Sequence, residues 1–461
     1  MTSFVSFLVT SVIGFAFVYL FFGFDDLWID WIAYRKQLKP RKLTEEEKHR
    51  WTLLKQKRIA ILIPAWKESN VISKMLRGNM RSIQYDRYHF FVGCYPNDLP
   101  TFRAVLKVAE ETGRVTPILN ELPGPTSKGQ LLNWVLRELT ETHFPQFDIF
   151  LFHDAEDIIH PLSLKLINSE ADNAEFIQIP VFSLPINKEL SVGATYMDEF
   201  AEVHTRDLLV RKHLNVALPS AGVGFALTRK AMFSLRPSSG QSLFESSCLT
   251  EDYLLGLNSY RAGLTQSFPC LFESNDIGQR SWIATYEYFP SSLLKSVRQK
   301  ARWTEGIAIQ AAKQFGWFGS FRNRLFLYRD RKAVTANSLG LLGLAFLPMA
   351  TLGILTLPAH SSDLTPLSTF RFLFLLNLLL LINRLWSRGK ALRVVYNKPW
   401  ALVVLARYPL SVLVNGLASF LALKNHASSL FLKQPTSWVK THHELPEGFG
   451  EVLPQSASGA L

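Results

Sequence analysis

Asp148-Ile149-Phe150-Leu151-Phe152-His153-Asp154-Ala155-Glu156-Asp157 decides how the rest of this 461-residue sequence is read. The run Ile149 to Phe152 has the continuity of a strand buried on both faces, and it ends abruptly in the carboxylates of Asp154, Glu156 and Asp157. Acids crowded at a strand end repel one another. A hard divalent cation, magnesium or manganese, that also bridges a diphosphate relieves the repulsion and neutralises a departing nucleotide. The bland alternative is a solvated turn whose acids cap the helix that follows Pro161.

Similar apolar runs lie on either side, at Ile59 to Pro64, 90–94, Val115 to Leu119 and 176–181, and they alternate with helical stretches at 128–139 and 162–172. This alternation predicts an α/β domain built on a doubly wound open sheet, mixed but mainly parallel. In such sheets ligands bind beyond the carboxyl ends of the strands, so the residues just after each apolar run are where chemistry is expected.

Beyond this domain the sequence turns to lipid. With 48% hydrophobic residues the chain is too apolar to be soluble throughout. Residues 4–24 carry no charge and suffice to cross a hydrocarbon core of about 30 Å at about 1.5 Å per residue. No basic region precedes them; Asp25, Asp26 and Trp28 follow, then Tyr34, Arg35 and Lys36, which reads as a retained anchor with its N-terminus outside and the next domain in the cytoplasm. Further apolar runs lie at 336–358, 369–382 extending to 386, and 400–423. The connection 359–368 has no Lys or Arg, whereas 383–399 carries Arg384, Arg388, Lys390, Arg393 and Lys398, which puts the latter loop in the cytoplasm. Arg407-Tyr408-Pro409 interrupts the last run, so it is either a full span or a re-entrant, partly interfacial segment.

The expected organisation is an anchor at 1–24, a juxtamembrane segment at 25–57, the cytosolic α/β domain at 58–289, amphipathic interfacial helices at 290–335, a membrane region at 336–424 and a tail at 425–461, disordered after 453. The formal net charge of +12 accompanies these apolar runs, which favours anionic headgroups and phosphates as partners and argues against nucleic acid. Cys94, Cys248 and Cys270 form no C-x-x-C pair, so buried thiols are expected rather than disulfides or zinc.

Two further elements bear on chemistry. Thr250-Glu251-Asp252 opens an apolar helical stretch, with Thr250 where a cap belongs; the acids either act in the site or simply complement the helix dipole. In Gln299-Lys300-Ala301-Arg302-Trp303, helical spacing places Gln299, Arg302 and Trp303 on neighbouring positions, where an indole can stack on a sugar and an Arg can hold a diphosphate. The alternative is an interfacial amphipathic helix made cationic by Lys295, Arg298 and Lys300.

In order and spacing, Asp98 after a strand, Asp154 to Asp157 after another, Thr250-Glu251-Asp252, and Gln299-x-x-Arg302-Trp303 before membrane runs resemble the processive branch of family 2 glycosyltransferases, which includes cellulose, chitin and hyaluronan synthases. The resemblance covers residues 58–309. Val92-Gly93-Cys94-Tyr95-Pro96-Asn97-Asp98 and Trp438-Val439-Lys440-Thr441-His442 look most like the glycosyltransferase portion of the bacteriophage adsorption protein B group, whose longer members carry a C-terminal regulatory region expected to be absent here.

The resemblance implies a GT-A-like nucleotide-sugar-binding domain and an inverting hexosyl- or N-acetylhexosaminyltransferase of the bacterial inner membrane, with a UDP-sugar as the expected donor. It implies Asp98, Lys128, Asn133 and Asp154 on the donor side, and Asp154 with Glu156 or Asp157 on a magnesium or manganese ion. Asp252, with Glu251 beside it, would be the base; Gln299, Arg302, Trp303, Gly222 and Gly224 would line the acceptor and diphosphate side. The family's D-x-D is D-x-E-D here, which leaves open whether Glu156 or Asp157 meets the metal. Expected partners are the donor, a glycan or lipid-linked acceptor, membrane lipids, and an export partner or a second copy. The rivals are single addition to a polyprenyl-phosphate lipid and an inactive scaffold or surface-receptor component.

Overall fold

The computed structural model describes residues 2–142, 146–186, 188–236, 242–274, 278–356, 365–397 and 401–432. The chain runs α1 (Thr2–Arg35), β1 (Arg41–Lys42), α2 (Glu45–Leu53), β2 (Ile59–Pro64), α3 (Ile72–Ser82), β3 (Tyr88–Cys94), α4 (Leu99–Thr112), β4 (Val115–Leu119), α5 (Lys128–Thr142), β5 (Ile149–Phe152), β6 (Ile158–Ile159), α6 (Ser163–Glu170), β7 (Phe176–Gln178) and β8 (Val181–Ser183). It continues through α7 (Val192–Glu202), α8 (Leu208–His213), β9 (Phe225–Thr228), α9 (Arg229–Leu235), α10 (Glu251–Arg261), β10 (Gln266–Ser267), β11 (Leu271–Ser274), β12 (Arg280–Trp282) and β13 (Thr285–Glu287). The C-terminal helices are α11 (Leu293–Thr304), α12 (Ala311–Phe315), α13 (Phe321–Arg331), α14 (Ala333–Thr356), α15 (Thr365–Tyr396) and α16 (Ala401–Leu432).

The central sheet has the order β10-β7-β9-β5-β2-β3-β4, with β9 antiparallel to both neighbours and the remaining pairs parallel. β2 sits in the middle because both of its faces are apolar. Ile59, Ile61 and Ile63 pack toward α3 and α4, and Ala60 and Leu62 toward Leu132, Val135 and Leu136 of α5. The expected mixed, mainly parallel sheet is therefore present. One predicted strand is not single: 176–181 divides into β7, in the central sheet, and β8, which pairs with β13. Pro180 has no N–H to extend the ladder, and its carbonyl instead accepts from Thr285 N at 2.9 Å. All three cysteines are free and buried.

Among the described residues three helical segments are long and apolar enough to cross a membrane, Thr10–Arg35, Arg371–Tyr396 and Leu402–Leu432, and a shorter apolar segment is Ala333–Leu344. Two expectations change here. The first helix does not stop near residue 24, because its acids are matched from inside the fold: Arg329 reaches Asp25 and Asp26 at 2.7 and 2.6 Å, and Arg384 reaches Asp26 at 2.9 Å. The basic stretch after 382 is no loop as far as Tyr396 but the continuation of α15, with Arg388 on Glu202 at 3.1 Å. Lys398, Trp400, part of the 359–368 connection and the tail from 433 lie outside the described residues.

Arg407 does not break the last apolar run. It is buried in a continuous α16, donates to Asp198 at 2.7 Å and to the Glu189 carbonyl at 3.0 Å, and so meets its charge requirement against α7 rather than in lipid. Further along, Ser411 and Asn415 donate to Glu199, and Ala418 and Ala422 pack on Ala301 of α11. One face of α16 thus clamps the helix that carries Gln299, Arg302 and Trp303.

Candidate functional site

The carboxylates after β5 do not all point the same way. Asp157 is fully buried, its Oδ2 accepts from the Asp154 N–H at 2.9 Å and lies 2.8 Å from His153 Nδ1, and its carbonyl accepts from Asn79 Nδ2 at 2.8 Å. It ties the turn together from beneath. Asp154 and Glu156 line the cleft above. The D-x-E-D spacing therefore sends the last acid inward and leaves the first and third toward the cleft.

Opposite them, Lys128 at the start of α5 reaches Asp154 at 2.7 Å and donates to the Gly222 carbonyl at 3.1 Å. Burial disfavours its ammonium, but Asp154, Asp252 and Glu251 outweigh that, so its pKa lies above the ordinary lysine value. Asp252 and Glu251 occupy the first turn of α10, and Asp252 Oδ1 accepts from the Tyr253 N–H at 2.8 Å. Thr250 holds the N-cap position without a side-chain capping bond. Burial, aided by Asp252, pushes Glu251 up to about 7; burial also raises Asp252, against the pull of Lys128.

Gly222 and Gly224 are both left-handed, with φ of +88° and +61°. A Cβ on Gly222 would collide with Asp252 Oδ2, and one on Gly224 with Thr285 Oγ1, so this loop needs glycine for space as well as for conformation. Gln178 shapes the same loop: its amide donates to the carbonyls of Val223 and Gly224 at 2.9 and 3.3 Å and accepts from Ala221 N at 2.9 Å.

From the membrane side, α11 brings Gln299, Arg302 and Trp303 to the cleft. Gln299 is held by Tyr196 Oη at 2.9 Å, and the Trp303 ring meets Tyr196 and Phe289 edge-on at 6.1 and 6.4 Å. The enclosed space is about 150 Å³. A second cavity of about 570 Å³ shares Ala221, Thr250, Asp252 and Trp303 with it and extends to Tyr19 of α1, Leu380 and Arg384 of α15 and Tyr408 of α16.

Two expected donor residues do not line the cleft. Asp98 accepts from Lys67 N at 2.5 Å, which pins the left-handed Lys67 (φ +55°) and the loop bearing Trp66. Asn133 uses both halves of its amide on the Phe244 backbone, at 2.8 and 2.9 Å. Sequence reasoning missed Trp66, Tyr95 and Thr126 at the far end of the cleft, where the rings meet at 5.1 Å and the Tyr95 and Thr126 hydroxyls at 2.6 Å. It also missed Glu287, whose carboxyl is raised well above the usual range by burial and by Asp157, Asp154 and Glu156. Trp66 and Tyr95 follow strands β2 and β3 directly and were findable by the strand-end rule; nothing local marks Glu287.

Among the described residues no three His, Cys, Asp or Glu side chains converge closely enough to hold a metal by themselves. Magnesium is commonly held by one or two carboxylates with substrate phosphates completing its shell, and an all-oxygen pair, Asp154 and Glu156, fits that demand. Beneath this pair, buried Asp157 Oδ1 has no hydrogen-bond partner among the described residues.

Residues 56–306 match the family described as Glycosyltransferase like family 2. The chain is 33% identical over 468 aligned residues to bacteriophage adsorption protein B of Escherichia coli strain K12, covering 93% of this chain and 61% of that protein. The same values hold for the bacteriophage N4 adsorption protein B of Escherichia coli O157:H7, so the chain spans 61% of the length of the curated relatives it matches. Among solved structures, a mannosyltransferase from Pyrobaculum calidifontis in complex with GDP-Man and Mn2+ has a TM-score of 0.53 at 16% identity, covering 89% of this chain and 99% of that one, which is a likeness of fold. Because the family match takes in the sheet, both acidic elements and the helix of Trp303, this chain belongs to the family 2-like glycosyltransferases.

Proposed function

We propose that the chain is a membrane-bound inverting glycosyltransferase that moves a sugar from a nucleoside-diphosphate sugar, a UDP-sugar in the first instance, to a growing glycan or lipid-linked acceptor on the cytosolic side of the bacterial inner membrane. The observation that carries it is the position of Asp252, which lines both the cleft and the cavity toward the membrane helices. A base at that junction meets donor from one side and acceptor from the other.

Asp252 takes the proton of the acceptor hydroxyl as its oxygen attacks the anomeric carbon and the nucleoside diphosphate leaves from the opposite face. Burial raises its pKa, which makes it a stronger base than an exposed aspartate. Trp66 and Tyr95 offer ring faces to the nucleobase, and Lys128 and Arg302 offer positive charge to the diphosphate. Asp154 and Glu156 would hold a magnesium or manganese ion, which would supply further charge neutralisation there. Trp303 closes the acceptor end and gives the sugar a stacking surface.

The larger cavity favours an acceptor delivered along α1, α15 and α16, which suits either a polymer in transit or a polyprenyl-phosphate lipid. Product length separates the two. The test is nucleotide release by the purified chain in lipid nanodiscs with a panel of nucleotide sugars and magnesium or manganese, compared with Asp252→Asn. Turnover of one donor that the variant loses supports the reading. A well-folded wild type silent with every donor and metal points to the scaffold reading.

A further inference from the structure

A third cavity, about 740 Å³, lies away from the catalytic cleft, between the end of α1, the π-helical segment 203–207 and the C-terminal half of α15. Its floor is rigid. Asp30 accepts from Arg206 at 2.8 Å, from Asn383 at 2.7 Å and from Ser387 at 2.9 Å, so α1, α15 and the transferase domain are tied together at one carboxylate. That carboxylate is thereby satisfied. The remaining charge on the walls is positive: Arg35, Lys39 and Lys390 line the groove, and none of them forms an ion pair among the described residues. The chain reverses at left-handed Gln37 (φ +51°), which returns Lys39 to the groove that Arg35 lines.

The rim marks the depth. Tyr34 and Trp386 line the groove and are 85% and 61% exposed, and Trp31 beside them is 61% exposed, a band of amphipathic rings of the kind that settles at headgroup level. On the membrane side of that band, α1 and α15 expose Phe17, Phe21 and Phe24, and Leu375, Leu379 and Ile382, which can lie against acyl chains.

We propose that this groove binds one anionic phospholipid, its phosphate held by Arg35, Lys39 and Lys390 and its acyl chains laid along α1 and α15. The inference uses the membrane reading of α1 and α15 and does not depend on the catalytic one. An uncompensated cationic groove with a neutralised floor favours a net-negative headgroup over a zwitterionic one, since each basic residue adds attraction only where the ligand carries net charge.

The test is native mass spectrometry of the full chain in detergent, titrated with phosphatidylglycerol, with phosphatidylcholine and with glycerol 3-phosphate. The expected result is a one-to-one phosphatidylglycerol adduct that weakens about 30-fold in Lys39→Ala/Lys390→Ala. It returns in Lys39→Arg/Lys390→Arg, and it is unchanged in Arg103→Ala/Lys107→Ala, which removes the same charge from exposed positions on α4. Equal retention of phosphatidylglycerol by the Ala variant overturns the site, and equal retention of phosphatidylcholine overturns its charge selectivity. Displacement of the lipid by equimolar glycerol 3-phosphate reassigns the groove to a soluble phosphate ester and overturns the lipid.

Discussion

The cleft and the junction between the transferase domain and the C-terminal helices are built from the same residue types, buried carboxylates beside Arg and Lys, and they reach opposite electrostatic states. In and beneath the cleft, burial lifts Asp157, Glu251, Asp252 and Glu287, and Lys128, shared among several acids, does not offset it. At the junction, shared cations outweigh burial at Glu199 and Asp207, whereas Asp198 beside Arg407 is still raised by burial, to about 6. Glu199 pairs with Lys300 at 2.5 Å and is drawn down to about 2 against the pull of burial, and Asp207 is lowered between Arg206 and Arg329 at 2.7 and 2.8 Å. At Glu199 and Asp207 the cations prevail, whereas Glu251 and Asp252 in the cleft stay raised despite Lys128. Paired charge at the junction therefore favours the fold, and crowded carboxyls in the cleft cost the fold.

The largest expected effect follows directly. Asp252→Asn should lower nucleotide release by about 10²- to 10⁴-fold while leaving the melting temperature equal or higher, because it removes a base and a repelling carboxylate together. A variant that loses stability in step with activity would place Asp252 in the structural class instead. The converse holds at the junction. Arg206 bonds Asp30, Glu202 and Asp207 at 2.8, 3.1 and 2.7 Å, so Arg206→Ala takes a shared cation from three acids at once and should cost about 3–5 kcal/mol in detergent unfolding. Smaller again is Gly222→Ala. The left-handed φ and the collision with Asp252 should cost about 1–3 kcal/mol, with kcat reduced more than KM because the base is displaced.

The sheet was readable because its strands are continuous apolar runs: β2, β4 and β5 coincide with the predicted segments. The acids after β5 and at the start of α10, and the α11 triplet, were readable because each follows an element whose period is plain. Three things were not. Pro180 divides one apolar run between two sheets by removing a donor, and only the pairing partners reveal where each half goes. Asp98 and Asn133 have the right residue type and spacing, but neither lines the cleft: Asp98 Oδ2 accepts from the Lys67 N–H, and both halves of the Asn133 amide bond the Phe244 backbone. The ends of α1 and the course of α15 were misjudged for a shared reason: charges that read as segment ends are paired with one another across the junction, Asp26 with Arg384 at 2.9 Å, so neither helix needs to stop there.

The pH dependence of stability separates Glu251 of the cleft from Glu199 of the junction by sign. The Glu251 carboxyl sits at about 7 in the fold against an ordinary 4.5, so the folded state holds that proton more tightly than the unfolded chain. Its contribution is complete below about pH 4.5 and is lost as pH rises toward about 7. Glu251→Gln removes that loss, and the variant should exceed wild type by about 1–3 kcal/mol at pH 8 while matching it at pH 4. Glu199 runs the other way: drawn down to about 2, it contributes fully above about pH 4.5 and its share fades as pH falls toward 2. Glu199→Gln should therefore weaken the protein at pH 8. Unfolding of the donor-free protein at both pH values measures both signs in one series. Because Asp252 is the second cause of the Glu251 shift, the Glu251→Gln gain should also shrink in an Asp252→Asn background. An undiminished gain there would assign the shift to burial alone, and the cleft would differ from the junction in solvation rather than in the balance of its charges.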